Sequence, residues 1–111
     1  MERVAVTLET LARKLPHTQD VLDIARRVVW FKRPEETLKD PVHFMAHLMT
    51  YTTVEDILAM RKYLSLDDFR FALDHAPAGV FDPRSWSYWN IICGRYPVPE
   101  MPRRRIGESD P

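Results

Sequence analysis

The sequence predicts an all-α protein, an irregular bundle of five or six short helices with an extended C-terminal tail. Three observations lead there. Helix-start signals recur along the chain: Asp40-Pro41, Asp82-Pro83, and the boxes Thr53-Val54-Glu55-Asp56 and Ser65-Leu66-Asp67-Asp68, capping boxes in their acidic form. Apolar residues between these signals repeat at three- and four-residue spacing. Proline or glycine then interrupts the pattern, as at Pro16, Pro34, Pro77 and Gly94. The segments between the starts do not match one another, so the signals are punctuation and not a repeat.

Taken in order, Val4, Leu8, Leu11, Ala12 and Leu15 form the first helical stripe, which Pro16 stops. Alternation of Val4, Val6 and Leu8 also allows a short strand there, but the longer pattern favours the helix. Thr18 caps a second helix with Val21, Ile24, Ala25, Val28 and Val29 on its buried side. Arg26, Arg27, Lys32 and Arg33 crowd its end, where cations complement the helix dipole. Residues 35–39 make a single turn. Phe44, Met45, Leu48 and Met49 follow Asp40-Pro41 as a short helix, and Val54, Ile57, Leu58 and Leu64 give the next helix its apolar side. Phe69, Ala72, Leu73 and Ala76 do the same after Ser65.

The last helical stretch, residues 81–95, holds two of the three tryptophans and the only cysteine. Asp82 caps it, Pro83 fits its first position and Gly94 ends it. At about 100° per residue, Trp86, Trp89 and Cys93 share one side, while Tyr88, Ile91 and Ile92 share the other. A helix this apolar is either central to a bundle or keeps one side for a partner. Trp86, Trp89 and Cys93 are assigned to the core. Tyr88 and Arg84 are left at the surface as partner-binding residues, with Asp67, Asp68 and Arg70 of the preceding helix as their neighbours. Residues 1–96 read as one helical domain, and residues 97–111, rich in proline and arginine, as a flexible tail.

With 111 residues the chain is large enough for one core without disulfides or metal. No apolar run approaches the roughly 20 residues of a membrane span. The charged start argues against a signal peptide, and one cysteine suits a reducing cytoplasm. Net charge is zero but sorted: +3 over residues 1–33, −5 over 34–82 and +2 over the remainder. The acidic middle argues against nucleic-acid binding by the domain.

Catalytic and metal chemistry find little support. His43 and His47, four apart, face the same way on a helix, yet lack the glutamate of the metalloprotease motif and a third ligand. Glu35-Glu36, Glu55-Asp56 and Asp67-Asp68 sit in first turns, where they serve the helix dipole. Cys93 lies in apolar surroundings that raise a thiol pKa. No glycine-rich phosphate loop is present. A non-enzymatic protein without a cofactor is therefore expected.

Four segments carry a family likeness: Trp30-Phe31-Lys32-Arg33-Pro34-Glu35-Glu36, Asp40-Pro41-Val42-His43-Phe44, Met49-Thr50-Tyr51-Thr52-Thr53-Val54-Glu55-Asp56 and Phe81-Asp82-Pro83-Arg84-Ser85-Trp86-Ser87-Tyr88-Trp89. Over about residues 24–95 the chain resembles small helical bacterial proteins whose genes often lie just upstream of an abortive-infection-type nucleotidyltransferase toxin. The resemblance carries over no catalytic or binding residue. It implies an antitoxin position: an interaction module that occludes the cleft of a nucleotidyltransferase-type toxin, its acidic middle facing a basic cleft. The alternative is a small DNA-binding transcriptional regulator using Arg26, Arg27, Arg103, Arg104 and Arg105.

Overall fold

The computed structural model describes residues 6–102, which form seven α-helices and no strand. They are α1 (Leu8–Arg13), α2 (Gln19–Val28), α3 (Pro34–Thr37), α4 (Pro41–Tyr51), α5 (Val54–Met60), α6 (Leu66–Asp74) and α7 (Pro83–Ile92). The helix beyond the six expected is α3, the single turn anticipated after Pro34, which is just long enough to count as one. Residue 4, the stretch 103–111 and the basic triplet Arg103–Arg105 lie outside the described residues.

Local chemistry sets most helix starts. Asp40 accepts the amide of His43 at 3.3 Å, and Asp82 accepts that of Ser85 at 2.7 Å. Ser65 and Asp68 form both halves of a capping box, the Ser65 amide donating to Asp68 at 2.7 Å. At Thr53 only one half forms, because the Asp56 carboxylate is taken by the Thr52 hydroxyl and Arg27. Thr18 stands at the N-cap of α2, but its hydroxyl turns to Asp20 and caps nothing. In α1 the cap is Thr7, paired reciprocally with Thr10, and the chain is helical from Leu8 where a strand was the other option.

The core is built on α4. Eight of its eleven residues are buried, and it packs against α1, α2, α3, α6 and α7. Phe44, Met45, Ala46 and Leu48 are wholly enclosed, between Leu11, Val21, Ala25, Val29 and Phe69, which are likewise fully buried. The long apolar stretch near the C-terminus is therefore not the hub of the bundle. Its helix, α7, lies at the edge, with Trp86, Trp89 and Cys93 buried and the opposite side in water. Trp89 stacks on Phe69 of α6 at 4.8 Å and donates its indole N–H to the Met49 carbonyl at 2.8 Å. Those two contacts fix α7 across the last turn of α4.

Gly94 ends α7 at φ 83°, a left-handed conformation that a side chain would strain. Beyond it the chain runs back along the domain. Val98 and Met101 pack on the core, and the Pro99 carbonyl accepts the indole N–H of Trp86 at 2.8 Å. Among the described residues no helix is long and apolar enough to cross a membrane.

Candidate functional site

A concave surface lies between α5 and α7, over the end of α4. It is a cavity of about 520 Å³ with Met49 and Trp89 among its lining residues. Val54, Ile57 and Leu58 line it from α5, and Arg84, Ser85 and Tyr88 from α7. These positions follow helical spacing on both walls, so each wall presents successive turns of one face. Val54 is 71 % exposed, Leu58 64 % and Tyr88 57 %. Farther along α7, Ile91 and Ile92 are exposed as well. The ring of Tyr88 meets Trp89 edge-on at 5.5 Å, so part of the tyrosine is steadied while the rest stays in water.

The polar groups of the lining are mostly engaged within the protein. Thr50 donates to the Ala46 carbonyl at 2.8 Å, Thr52 to Asp56 at 2.7 Å and Trp89 to Met49. Arg84 is exposed and has no carboxylate partner among the described residues. Arg13, Lys14, Arg26, Arg27, Lys62, Arg70 and Arg95 stand in ion pairs, whereas Lys32, Arg33, Lys39 and Arg61, like Arg84, have none among the described residues. Among the described residues Arg84 is the only ionisable one lining the groove other than Tyr88.

Of the five residues assigned to partner binding, the structure brings together Arg84 and Tyr88. Asp67, Asp68 and Arg70 sit elsewhere. The Arg70 guanidinium donates to the Cys93 carbonyl at 2.9 Å, which puts it at the far end of α7. Nine residues of helix, roughly 13 Å, separate that point from Arg84. Arg70 is also bonded to Asp67 at 2.7 Å, so the pair secures α6 against the end of α7. Asp68 must be withdrawn from the surface set altogether. Its side chain is fully buried, closing the Ser65 capping box and holding Lys14 of the α1 end at 3.0 Å. A carboxylate can be buried there because its oxygens accept from the Ser65 amide and hydroxyl and from the Lys14 ammonium.

Four of the nine acids of the middle segment, including all three of α6, are likewise paired within the fold. Asp56 is held by Arg27, Asp67 by Arg70, Asp68 by Lys14 and Asp74 by Arg95. Hydrogen bonds from Arg27 and Arg95 keep the Asp56 and Asp74 carboxyls below their ordinary pKa. A surface offering free negative charge to a basic cleft is thus not what α6 presents. The same pairings engage Arg26, with Asp23, and Arg27, which the DNA-binding alternative would direct to phosphates.

The histidine pair lies on α4 with ring centroids 4.3 Å apart. His47 is buried, and its Nδ1 is 3.0 Å from the His43 carbonyl, a contact that makes Nδ1 the protonated nitrogen. Burial, then His47 and Lys32, lower the His43 pKa. No group of three or more metal-binding side chains occurs among the described residues. Burial pushes the Cys93 thiol up, against the pull of Arg70 and Arg95, so the thiolate form is disfavoured.

Two features escaped the sequence reading. Val54 and Leu58, counted as the buried side of α5, are its exposed side, and only Met60 of that helix is fully covered. The second is a row of rings at the end of α2, where Trp30, which the sequence allows as an exposed anchor, is 79 % exposed and Phe31 also stands outside the core. The row continues with His47 and Tyr51, neighbouring centroids being 5.6–6.0 Å apart. A signal for the first was present: α5 and α7 both carry more apolar surface than an edge helix can bury. No family model, curated protein or solved structure matches the chain.

Proposed function

We propose that the protein is a non-enzymatic interaction module that docks a protein partner in the α5–α7 groove. The observation that carries this reading is the groove itself. Val54, Leu58 and Tyr88 stand in water around a concave apolar floor, with one unpaired arginine at the rim. Exposed apolar side chains gathered in one concave place are the mark of an interaction site, whereas scattered ones need no explanation. Tyrosine and arginine are also the residue types that most often anchor an interface.

The resemblance to proteins encoded beside abortive-infection toxins supplies the kind of partner: a bacterial nucleotidyltransferase-type toxin, with this chain as its antitoxin. Occlusion would then work through apolar capture of a toxin element, since the acids of α6 are engaged within the domain. Expression from the native operon with affinity capture of this chain tests the reading. A co-encoded protein should be retained by the wild type and lost from Tyr88→Ala. Retention unaffected by Tyr88→Ala removes the groove from the interface, and capture of no co-encoded protein removes the antitoxin role.

A further inference from the structure

The α5–α7 groove has a chemistry that selects among occupants. We propose that it takes an amphipathic α-helix of the partner, whose apolar stripe lies on Val54, Leu58 and Tyr88 and whose carboxylate reaches Arg84. This rests on the groove being the docking surface, and adds what fills it.

The argument begins with hydrogen bonds. An extended peptide has backbone N–H and C=O groups to satisfy, and a strand-type partner satisfies them on a sheet edge. The groove has no such edge: its walls are α5 and α7, with the two-residue α4–α5 connection Thr52-Thr53 at one end, and no strand occurs among the described residues. Its side chains add little, because Thr50, Thr52 and the Trp89 indole donate inward. The Thr53 hydroxyl accepts the Asp56 amide, leaving Ser85, Arg84 and the Tyr88 hydroxyl as the main open polar groups. A helix satisfies its own backbone and asks the groove only for apolar contact. That is what Val54, Ile57, Leu58, Met49 and Tyr88 provide.

Charge fixes the rest. Arg84 is the one cation among the described residues lining the groove, and no carboxylate of the described residues is paired with it. A partner burying Arg84 unmatched would lose its hydration without return. A glutamate or aspartate on the incoming helix matches it, and a lysine there is repelled.

The test is selection of random peptides of about 15 residues, roughly four turns of helix, displayed on phage against the whole protein. Clones are then counter-screened on Tyr88→Ala and Val54→Asp, one variant from each wall. Thermal melts confirm that both variants are folded, and the two walls keep the screen interpretable if one is not. The expected groove-dependent clones share apolar residues at helical spacing and an acidic residue on the same side. Arg84→Glu should weaken them about tenfold, the scale of one interfacial charge, and strengthen versions carrying lysine at the acidic position. Clones with two-residue apolar periodicity, clones indifferent to Arg84→Glu, or no clone sensitive to either wall overturn the proposal. Failure here is separable from failure of the docking reading. A native partner whose capture needs Tyr88, together with strand-like clones, rejects only the helix. Helical acidic clones, with a native partner indifferent to Tyr88, reject only the partner's use of the groove.

Discussion

Helices α4 and α7 begin with the same Asp-Pro signal, are of nearly equal length and are apolar almost all round, yet they live in different surroundings. Eight of eleven residues are buried in α4, against three of ten in α7. Neither has a strongly one-sided sequence, so periodicity alone gives them the same reading. Position in the bundle separates them. Five other helices surround α4, whereas α7 is applied to the edge and has company on one side only. An apolar helix in the middle is explained by the core. An apolar helix at the edge leaves a surface that the fold does not explain, and the groove is built on that surface.

Truncating the inward side chains should show the two helices as equals. Phe44→Ala in α4 and Trp86→Ala in α7 each remove a buried ring, and each should cost about 3–5 kcal/mol of stability. Urea unfolding followed by circular dichroism measures both. Trp86→Ala also strips the Pro99 carbonyl of its indole donor, so the segment after α7 should become more open to protease. A small effect at Trp86 beside a large one at Phe44 would mean that α7 is peripheral even on its inner side.

How far the sequence could foretell this contrast depends on the range of the interactions. Caps were legible because they are local: Asp40, Thr53, Ser65 and Asp82 each act within three residues of themselves. The inner and outer sides of α7 were legible because helical phase separates Trp86, Trp89 and Cys93 from Tyr88. Tertiary partners were not. Asp68 looked like one more first-turn carboxylate, and only Lys14, fifty-four residues away, makes it a buried anchor. Val54 and Leu58 looked like a core stripe because hydrophobicity does not say which neighbour covers it. For the same reason the sequence left α7 either central or one-sided and did not single out α4, which lacks tryptophan but holds the middle.

Acid should distinguish the helices next, more gently. The His43 imidazole on α4 has its pKa lowered by burial first, then by His47 and Lys32, with Asp40 opposing. Its folded state therefore prefers the neutral ring. As the pH falls below about 6.5 the unfolded chain takes up the proton first, and stability is lost from there down through the folded pKa. Asp56 and Asp74 have the opposite sign of linkage. Their stabilisation is complete above the ordinary carboxylate range and declines only as the pH drops below about 4. Melting temperatures at pH 7.5 and 5.5 should thus fall further for the wild type than for His43→Gln. Equal falls would mean that α4 holds His43 no differently from the unfolded chain. Among the described residues no histidine lines the groove beside α7, so peptide binding there should change less over this interval.

The smallest effect is expected on the outer walls of the groove. Leu58 and Val54 remain mostly in water, so each contributes only a fraction of the roughly 1.5–3 kcal/mol that full burial of such a side chain supplies. Truncating them to serine removes little that folding had gained, and neither substitution leaves a buried polar group without a partner. The double variant Val54→Ser, Leu58→Ser should therefore stay within about 1 kcal/mol of the wild type in urea unfolding, while losing partner capture. The pairing of those two outcomes is what gives the experiment its force. A residue that matters to binding and hardly at all to folding is one whose contacts lie outside the domain. Should the double variant instead lose as much stability as Phe44→Ala, then α5 closes onto α7 in solution. The apolar surface at the edge would then be core, as in α4, and the contrast between the two helices would disappear.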